Sequence, residues 1–251
     1  MVRKLLIGII LTLALFCLGC DVSAEPDAYE PEVSDEQEEF ASQGAPEETL
    51  NDILADDIAA GYLILVNKSH GLDRNYKPDD LAGIRYFAAD RSAEGRFMRA
   101  SAAGAFHSLV EEGAAQGIDI VMTTAFRSFG FQETLYNNYV ANHGQAAADR
   151  FSAKPGFSEH QTGLAVDVSA ASVGYRLTRD FANTKEGRWI AENAHLFGFI
   201  LRYPEGMEEF TGYMFEPWHL RFVGKTAAKY IFENNLILED FLRLIEEEME
   251  E

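Results

Sequence analysis

The stretch Ser158-Glu159-His160-Gln161-Thr162-Gly163-Leu164-Ala165-Val166-Asp167-Val168 changes character at its glycine. From Gly163 onward the residues alternate with the two-residue period of a strand, so Leu164, Val166 and Val168 share one face and Gly163, Ala165 and Asp167 the other. The first face is apolar and reads as core. Asp167 lies on the second face beside small neighbours that leave room, and His160 stands at the strand entrance. Such a pair can point two ligands at one ion, or make an ordinary histidine–aspartate hydrogen bond.

A second segment, Tyr213-Met214-Phe215-Glu216-Pro217-Trp218-His219-Leu220-Arg221, supplies what the first lacks. His219 offers a third, neutral ligand. Three protein ligands with an open position are the arrangement expected of catalytic rather than structural zinc. Glu216, three residues earlier, is then placed to take a proton from water and pass it to a leaving amine.

Around these segments the chain reads as a mixture of short strands and helices. Strands are expected over 61–67, 118–124, 163–168, 199–203 and 218–222, and helices over 94–117, 131–143, 185–196, 225–234 and 238–249. They do not alternate as a doubly wound sheet requires, so the class is α+β with a small antiparallel sheet. Leu238, Phe241, Leu242 and Ile245 form one stripe of the last helix, which reads as a packed cap with a charged outer face and calls for no protein partner.

The chain has 251 residues and a net charge of −20, unevenly distributed. Residues 21–57 carry fourteen Asp or Glu and no Lys or Arg, and 239–251 hold seven acids against Arg243, leaving 58–238 nearly neutral. A chain with no basic surface is a poor partner for nucleic acid. Residues 21–57, interrupted by Pro26, Pro31, Gly44 and Pro46, read as an acidic disordered tether. Residues 1–20 read as an export segment: Arg3 and Lys4, an apolar run to Leu18, then Gly19 and Cys20. Leu18-Gly19-Cys20 resembles a bacterial lipoprotein box, with Cys17 where leucine is usual; Cys20 is then the lipidated residue, and an uncleaved apolar anchor is the alternative. Both cysteines, Cys17 and Cys20, lie in this segment. Any metal further along must be held by histidine and carboxylate. The folded domain is expected over 58–251.

Ser158-x-His160-x-x-Gly163-x-Ala165-x-Asp167 together with Glu216-Pro217-Trp218-His219 resemble the paired motifs of the VanY-like D-alanyl-D-alanine carboxypeptidases, whose relatives include L,D-carboxypeptidases. Gly198-Phe199-Ile200-Leu201-Arg202-Tyr203-Pro204 also fits that family. The resemblance spans roughly 58–238. It implies that His160, Asp167 and His219 bind one zinc ion, that Glu216 is the general base, and that a compact antiparallel sheet flanked by helices bears the metal, as in hedgehog-like and lysostaphin-like domains.

A carboxypeptidase must also hold a free terminal carboxylate, to which the planar charged fork of arginine is best matched. Arg127 follows the strand expected over 118–124 and is the candidate; a loop arginine paired with a structural carboxylate is the alternative. The family has a similar arginine with glutamine five residues on, which implies Gln132 and Ser158 as further substrate contacts. Trp218 is expected to wall the pocket and Tyr203 to add a weaker aromatic contact. His70, His107, His143 and His195 have no ligand-like company. The expected activity is removal of the last D-alanine from peptidoglycan pentapeptide stems, at the outer face of a bacterial membrane reached through the N-terminal lipid or anchor. Alternatives are an L,D-carboxypeptidase acting on tetrapeptide stems, a dipeptidase acting on free D-Ala-D-Ala, and a noncatalytic wall-binding lipoprotein.

Overall fold

Gly163 closes a 3-10 turn, Glu159–Thr162, in the left-handed region (φ 69°), and an added Cβ there would meet Leu81 at 3.0 Å. Only glycine passes this point without strain, and it delivers the chain from the His160 turn into the central strand. The computed structural model describes residues 49–89 and 92–250. The export segment and residues 21–48 of the expected tether lie outside the described residues.

In chain order the elements are α1 (Leu50–Ala59), β1 (Leu81–Gly83), β2 (Phe97–Arg99), α2 (Ala100–Ala115), β3 (Val121–Thr124), α3 (Phe129–His143), α4 (Gln145–Phe151), β4 (Ala165–Ser169), α5 (Lys185–Asn193), β5 (Phe199–Leu201), α6 (Glu208–Thr211), β6 (His219–Phe222), α7 (Lys225–Glu233) and α8 (Leu238–Glu250). Four strands form an antiparallel sheet in the order β3-β4-β6-β5, and β1 pairs with β2 in a separate ribbon. This is the expected α+β class with a small antiparallel sheet.

The apolar face of β4 does what its alternation predicts. Leu164, Val166 and Val168 are fully buried in a cluster with Leu220 and Phe222 of β6, Phe106 and Leu109 of α2, and Ile190 of α5. A second cluster joins Leu54 of α1 to Ala227, Ala228 and Ile231 of α7 and to Leu238, Phe241 and Ile245 of α8. The acidic C-terminal helix is therefore packed along the expected stripe, with Leu242 partly buried beside it.

Three expectations about elements need correction. The ordered domain begins before residue 58, because 50–57 belong to α1. Thr49 and Asp52 form a capping box at its start, Glu248 accepts from the amides of Leu50 (3.0 Å) and Asn51 (2.9 Å), and Leu54 is fully buried. The cap supplies partners for amides that helix geometry leaves unpaired, and the apolar contact offsets the ordering entropy. Residues 61–67 form no strand. The carbonyls of Tyr62 and Ile64 accept from the Arg221 guanidinium at 2.8 and 2.7 Å, so a side chain takes the place of a neighbouring strand. The helix expected from residue 94 starts at Ala100, since pairing with Leu81–Gly83 draws Phe97–Arg99 into β2.

Candidate active site

Antiparallel register builds the centre. Asp167 of β4 is the Cα partner of His219 of β6 and also of Thr124 of β3. Residues directly opposite on antiparallel strands project to the same face at close range. Asp167 Oδ1 lies 2.9 Å from His219 Nδ1, and Asp167 Oδ2 lies 3.4 Å from His160 Nε2. His160 reaches this point from the Glu159–Thr162 turn, its ring 5.0 Å from that of His219 and nearly perpendicular to it (89°). One donor atom from each of His160, Asp167 and His219 falls within 4.8 Å of the others, and all three residues are buried.

The far nitrogen of each ring is also engaged. His160 Nδ1 lies 2.6 Å from the Ala125 carbonyl, which can only accept, so this nitrogen carries the proton and Nε2 is left as a free lone pair. His219 Nε2 lies 3.3 Å from Glu159 Oε2. Two imidazoles and one carboxylate, converging with outer hydrogen bonds that orient the rings, fit a zinc ion by donor type and by number.

Electrostatics agree with the geometry. Burial pushes the Asp167 carboxyl up, but the two imidazoles override it and hold Asp167 well below the usual carboxylate range. Burial lowers His219, but hydrogen bonds to Asp167 and Glu159 reverse this and leave it at about 9.

Glu216 stands beside the cluster, its Oε2 4.0 Å from His219 Nδ1. A backbone bond to the Tyr203 carbonyl (3.1 Å) fixes its turn, and its own carbonyl accepts from the amide of His219 (3.1 Å). Burial raises its carboxyl to about 7, with His219 and Arg127 pulling the other way and Asp167 adding to the rise. A carboxylate poised near neutrality suits a group that must both take and give a proton.

Arg127, Ser158, Tyr203 and Trp218 line the same cleft as the donors and Glu216, a space of about 330 Å³. Arg127 sits between β3 and α3, where Ser128 caps the helix by accepting from the amide of Phe131 (3.3 Å). Burial lowers the Arg127 guanidinium, against the pull of Asp167. Gln132 does not line the cleft. It is 1% exposed, its Oε1 accepts from Arg127 Nη1 at 2.6 Å, and its amide donates to the Ala153 carbonyl at 2.6 Å, so it sits behind the arginine. Tyr203 packs on His219 with ring centroids 4.9 Å apart and on Tyr213 at 4.8 Å.

Residues the sequence did not single out complete the surroundings. Glu159, buried at 2% exposure, accepts from Arg202 and Arg221, and Arg202 also pairs with Glu239. The available signal was charge inside apolar runs: Arg202 follows Phe199-Ile200-Leu201, and Arg221 stands between Leu220 and Phe222. Arg202 and Arg221 are almost wholly buried (1% and 0% exposed), which such residues tolerate only when paired. Of the remaining histidines, His107 accepts from the backbone amide of Arg85 (3.1 Å) and His195 stacks on Phe232 at 3.7 Å, both away from the cleft.

A small antiparallel sheet and the turn that enters it, presenting two histidines and an aspartate, with a glutamate near neutrality and an arginine in one cleft, define the class of metal-site hydrolytic peptidases. The chain belongs to the VanY family of D-alanyl-D-alanine carboxypeptidases, whose family model matches residues 95–225. It is 40% identical over 184 residues to the YodJ protein of Bacillus subtilis (strain 168), covering 73% of this chain and 67% of that one. The LdcB LD-carboxypeptidase, solved to show peptidoglycan recognition, is similar at 40% identity and a TM-score of 0.70, covering 72% of this chain and 86% of that chain. A variant of the vancomycin resistance D,D-pentapeptidase VanY in complex with Zn(II) is similar at 31% identity and a TM-score of 0.60, covering 72% and 98%.

Proposed function

We propose that this chain is a zinc-dependent carboxypeptidase that releases the terminal D-alanine of peptidoglycan stem peptides. The observation that carries the reading is the convergence of His160, Asp167 and His219 within 4.8 Å, with Glu216 4.0 Å from His219. His160, Asp167 and His219 would hold the zinc. When bound there, zinc supplies Lewis acidity, polarising a peptide carbonyl and making water easier to deprotonate. Glu216 takes the proton from water and returns it to the departing amine. Arg127, braced by Gln132, holds the free carboxylate of the substrate and so sets register from the chain end. Ser158, Trp218 and Tyr203 shape the walls around the last residue.

Two bonds meet this description. The pentapeptide D-Ala–D-Ala bond is the one the motifs suggest, and the likeness to VanY supports it. The higher identity and TM-score with LdcB favour the tetrapeptide bond instead. Zinc-loaded full-length protein incubated separately with pentapeptide and tetrapeptide stems, with products read by mass, distinguishes them. Loss of one alanine from either stem supports the reaction and names the bond; no cleavage of either by zinc-bound protein sinks it.

The substrate lies in the wall, so action outside the cytoplasm follows from this reading. Residues 1–20 serve it as an export segment and Cys20 as the lipid site, with 21–48 as the acidic tether. No helix among the described residues is long and apolar enough to cross a membrane. Labelling with a radioactive fatty acid that persists in Cys20→Ala would overturn the lipid assignment.

A further inference from the structure

Glu159 takes no part in the chemistry above, yet it is buried at 2% exposure in the turn that carries His160. Its two oxygens face different partners. Oε1 accepts from Arg202 Nε and Arg221 Nη1, both at 2.7 Å, while Oε2 lies 3.3 Å from His219 Nε2. The guanidiniums are held in turn: Arg202 donates to Glu239 at 2.6 and 2.8 Å, and Arg221 to the carbonyls of Tyr62 and Ile64. Glu159 and Glu239 balance Arg202 and Arg221, so the buried group is neutral as a whole. Arg202, Arg221 and Glu159 have fully buried side chains.

Burying such a network is a poor way to gain stability, because desolvation of the charges offsets their attraction and apolar packing serves as well. Its position against one imidazole is therefore informative. A carboxylate can only accept, so without metal Asp167 and Glu159 each face a protonated nitrogen of His219; once a metal takes the place of the Nδ1 proton, Glu159 holds the neutral tautomer protonated at Nε2. That leaves Nδ1, the nitrogen 2.9 Å from Asp167 and 4.0 Å from Glu216, as the lone pair directed at the donor cluster.

We infer that Glu159 is a positioning residue for the metal site: anchored by Arg202 and Arg221, it fixes the ring orientation and tautomer of His219 so that Nδ1 is the ligating atom. The inference rests on the zinc reading of the cluster. His160 achieves the same result through a backbone carbonyl, Ala125, so the two imidazoles are oriented by chemically different partners. A carbonyl cannot be mutated away, but Glu159 can.

The test begins with the unaltered full-length protein loaded with zinc, its histidine nitrogens assigned by nitrogen-15 NMR. His219 is expected to show a protonated Nε2 and a metal-shifted Nδ1. In parallel, Glu159→Gln is measured for zinc affinity by chelator competition, with its cobalt-substituted absorption spectrum and its thermal unfolding. Affinity should weaken by about 10–100-fold, the usual effect of removing an outer partner, and the cobalt bands should move. A purely structural Glu159 would lower the unfolding temperature and leave affinity and spectrum in the folded protein as they were. If Glu159→Gln does not fold, the NMR of the unaltered protein decides alone. Zinc bound through Nε2 of His219, or undiminished affinity in Glu159→Gln, overturns the inference while leaving the zinc reading intact. Failure of the unaltered chain to take up zinc overturns both.

Discussion

Asp167 and His219 are Cα partners across β4 and β6, and their side chains meet at 2.9 Å on the same face of the sheet. The metal-site geometry is thus written into strand register. A slip of one residue would turn one of the two to the opposite face. Asp167→Ala should leave the strands paired, because Leu164, Val166 and Val168 still hold β4 against the core. Zinc affinity should fall by more than the about 10–100-fold typical of an outer partner. Metal content after dialysis checks this; one tightly held zinc per chain in Asp167→Ala would remove Asp167 from the ligand set.

Glu216→Ala should retain zinc and lose turnover by about 10²–10⁴-fold, the contribution usual for a general base or acid. Metal content and kcat on the cleaved stem, measured on the same preparation, give both halves of the result. Undiminished kcat would assign the proton transfers elsewhere.

Arg127→Ala should raise KM far more than it lowers kcat, since in its proposed role the arginine holds a carboxylate that is present in substrate and transition state alike. Gln132→Ala should give a smaller change in the same direction, because its Oε1 only braces Arg127 at 2.6 Å. A stem whose terminal carboxylate is amidated should lose its advantage on the unaltered enzyme and show little further loss on Arg127→Ala.

The metal-free chain should respond to pH through His219, raised from 6.5 to about 9 by its two carboxylate partners. A raised value means that its protonated form stabilises the fold fully below 6.5 and loses that contribution as pH climbs through about 9. Zinc must displace the Nδ1 proton, so binding releases a proton at neutral pH and tightens as pH rises toward about 9. Calorimetry in buffers of different ionisation enthalpy reads the released proton, and a chelator should lower the unfolding temperature. A binding heat independent of buffer would contradict this account.

Leu54→Ala should destabilise the domain by about 2–5 kcal/mol, the cost of truncating a buried leucine. Turnover per folded molecule should be unchanged, since α1 packs on α7 and α8 away from the cleft. Chemical denaturation checks the first statement and stem cleavage the second; a negligible change in stability would return 50–57 to the tether.

The alternation of Leu164, Val166 and Val168 with Ala165 and Asp167, and the positions of His160, Glu216 and His219, were legible because they are local: period and residue type carry them. Arg127 was singled out by chemistry, as the side chain best matched to a terminal carboxylate, and the structure places it in the same cleft as the donors. Misreadings arose where a distant partner decides conformation. Residues 61–67 have the composition of a strand, yet Arg221 occupies two of their carbonyls. Acidic composition concealed α1, although Thr49-x-x-Asp52 gave a local sign of a helix start.

By itself, then, the sequence determined the α+β class, the pair of motifs that mark the family, the donor types available to a metal and the near-neutral charge of the core. Only the tertiary structure decided which nitrogen of each histidine faces the centre, that Gln132 stands behind Arg127, and that Glu159 joins Arg202, Arg221 and Glu239 in one buried network. The reason is physical. Residue type and period follow from covalent chemistry and backbone geometry along the chain, whereas hydrogen-bond direction and ion pairing depend on groups such as Glu159 and Arg221, 62 positions apart in sequence, that meet only when the sheet has closed.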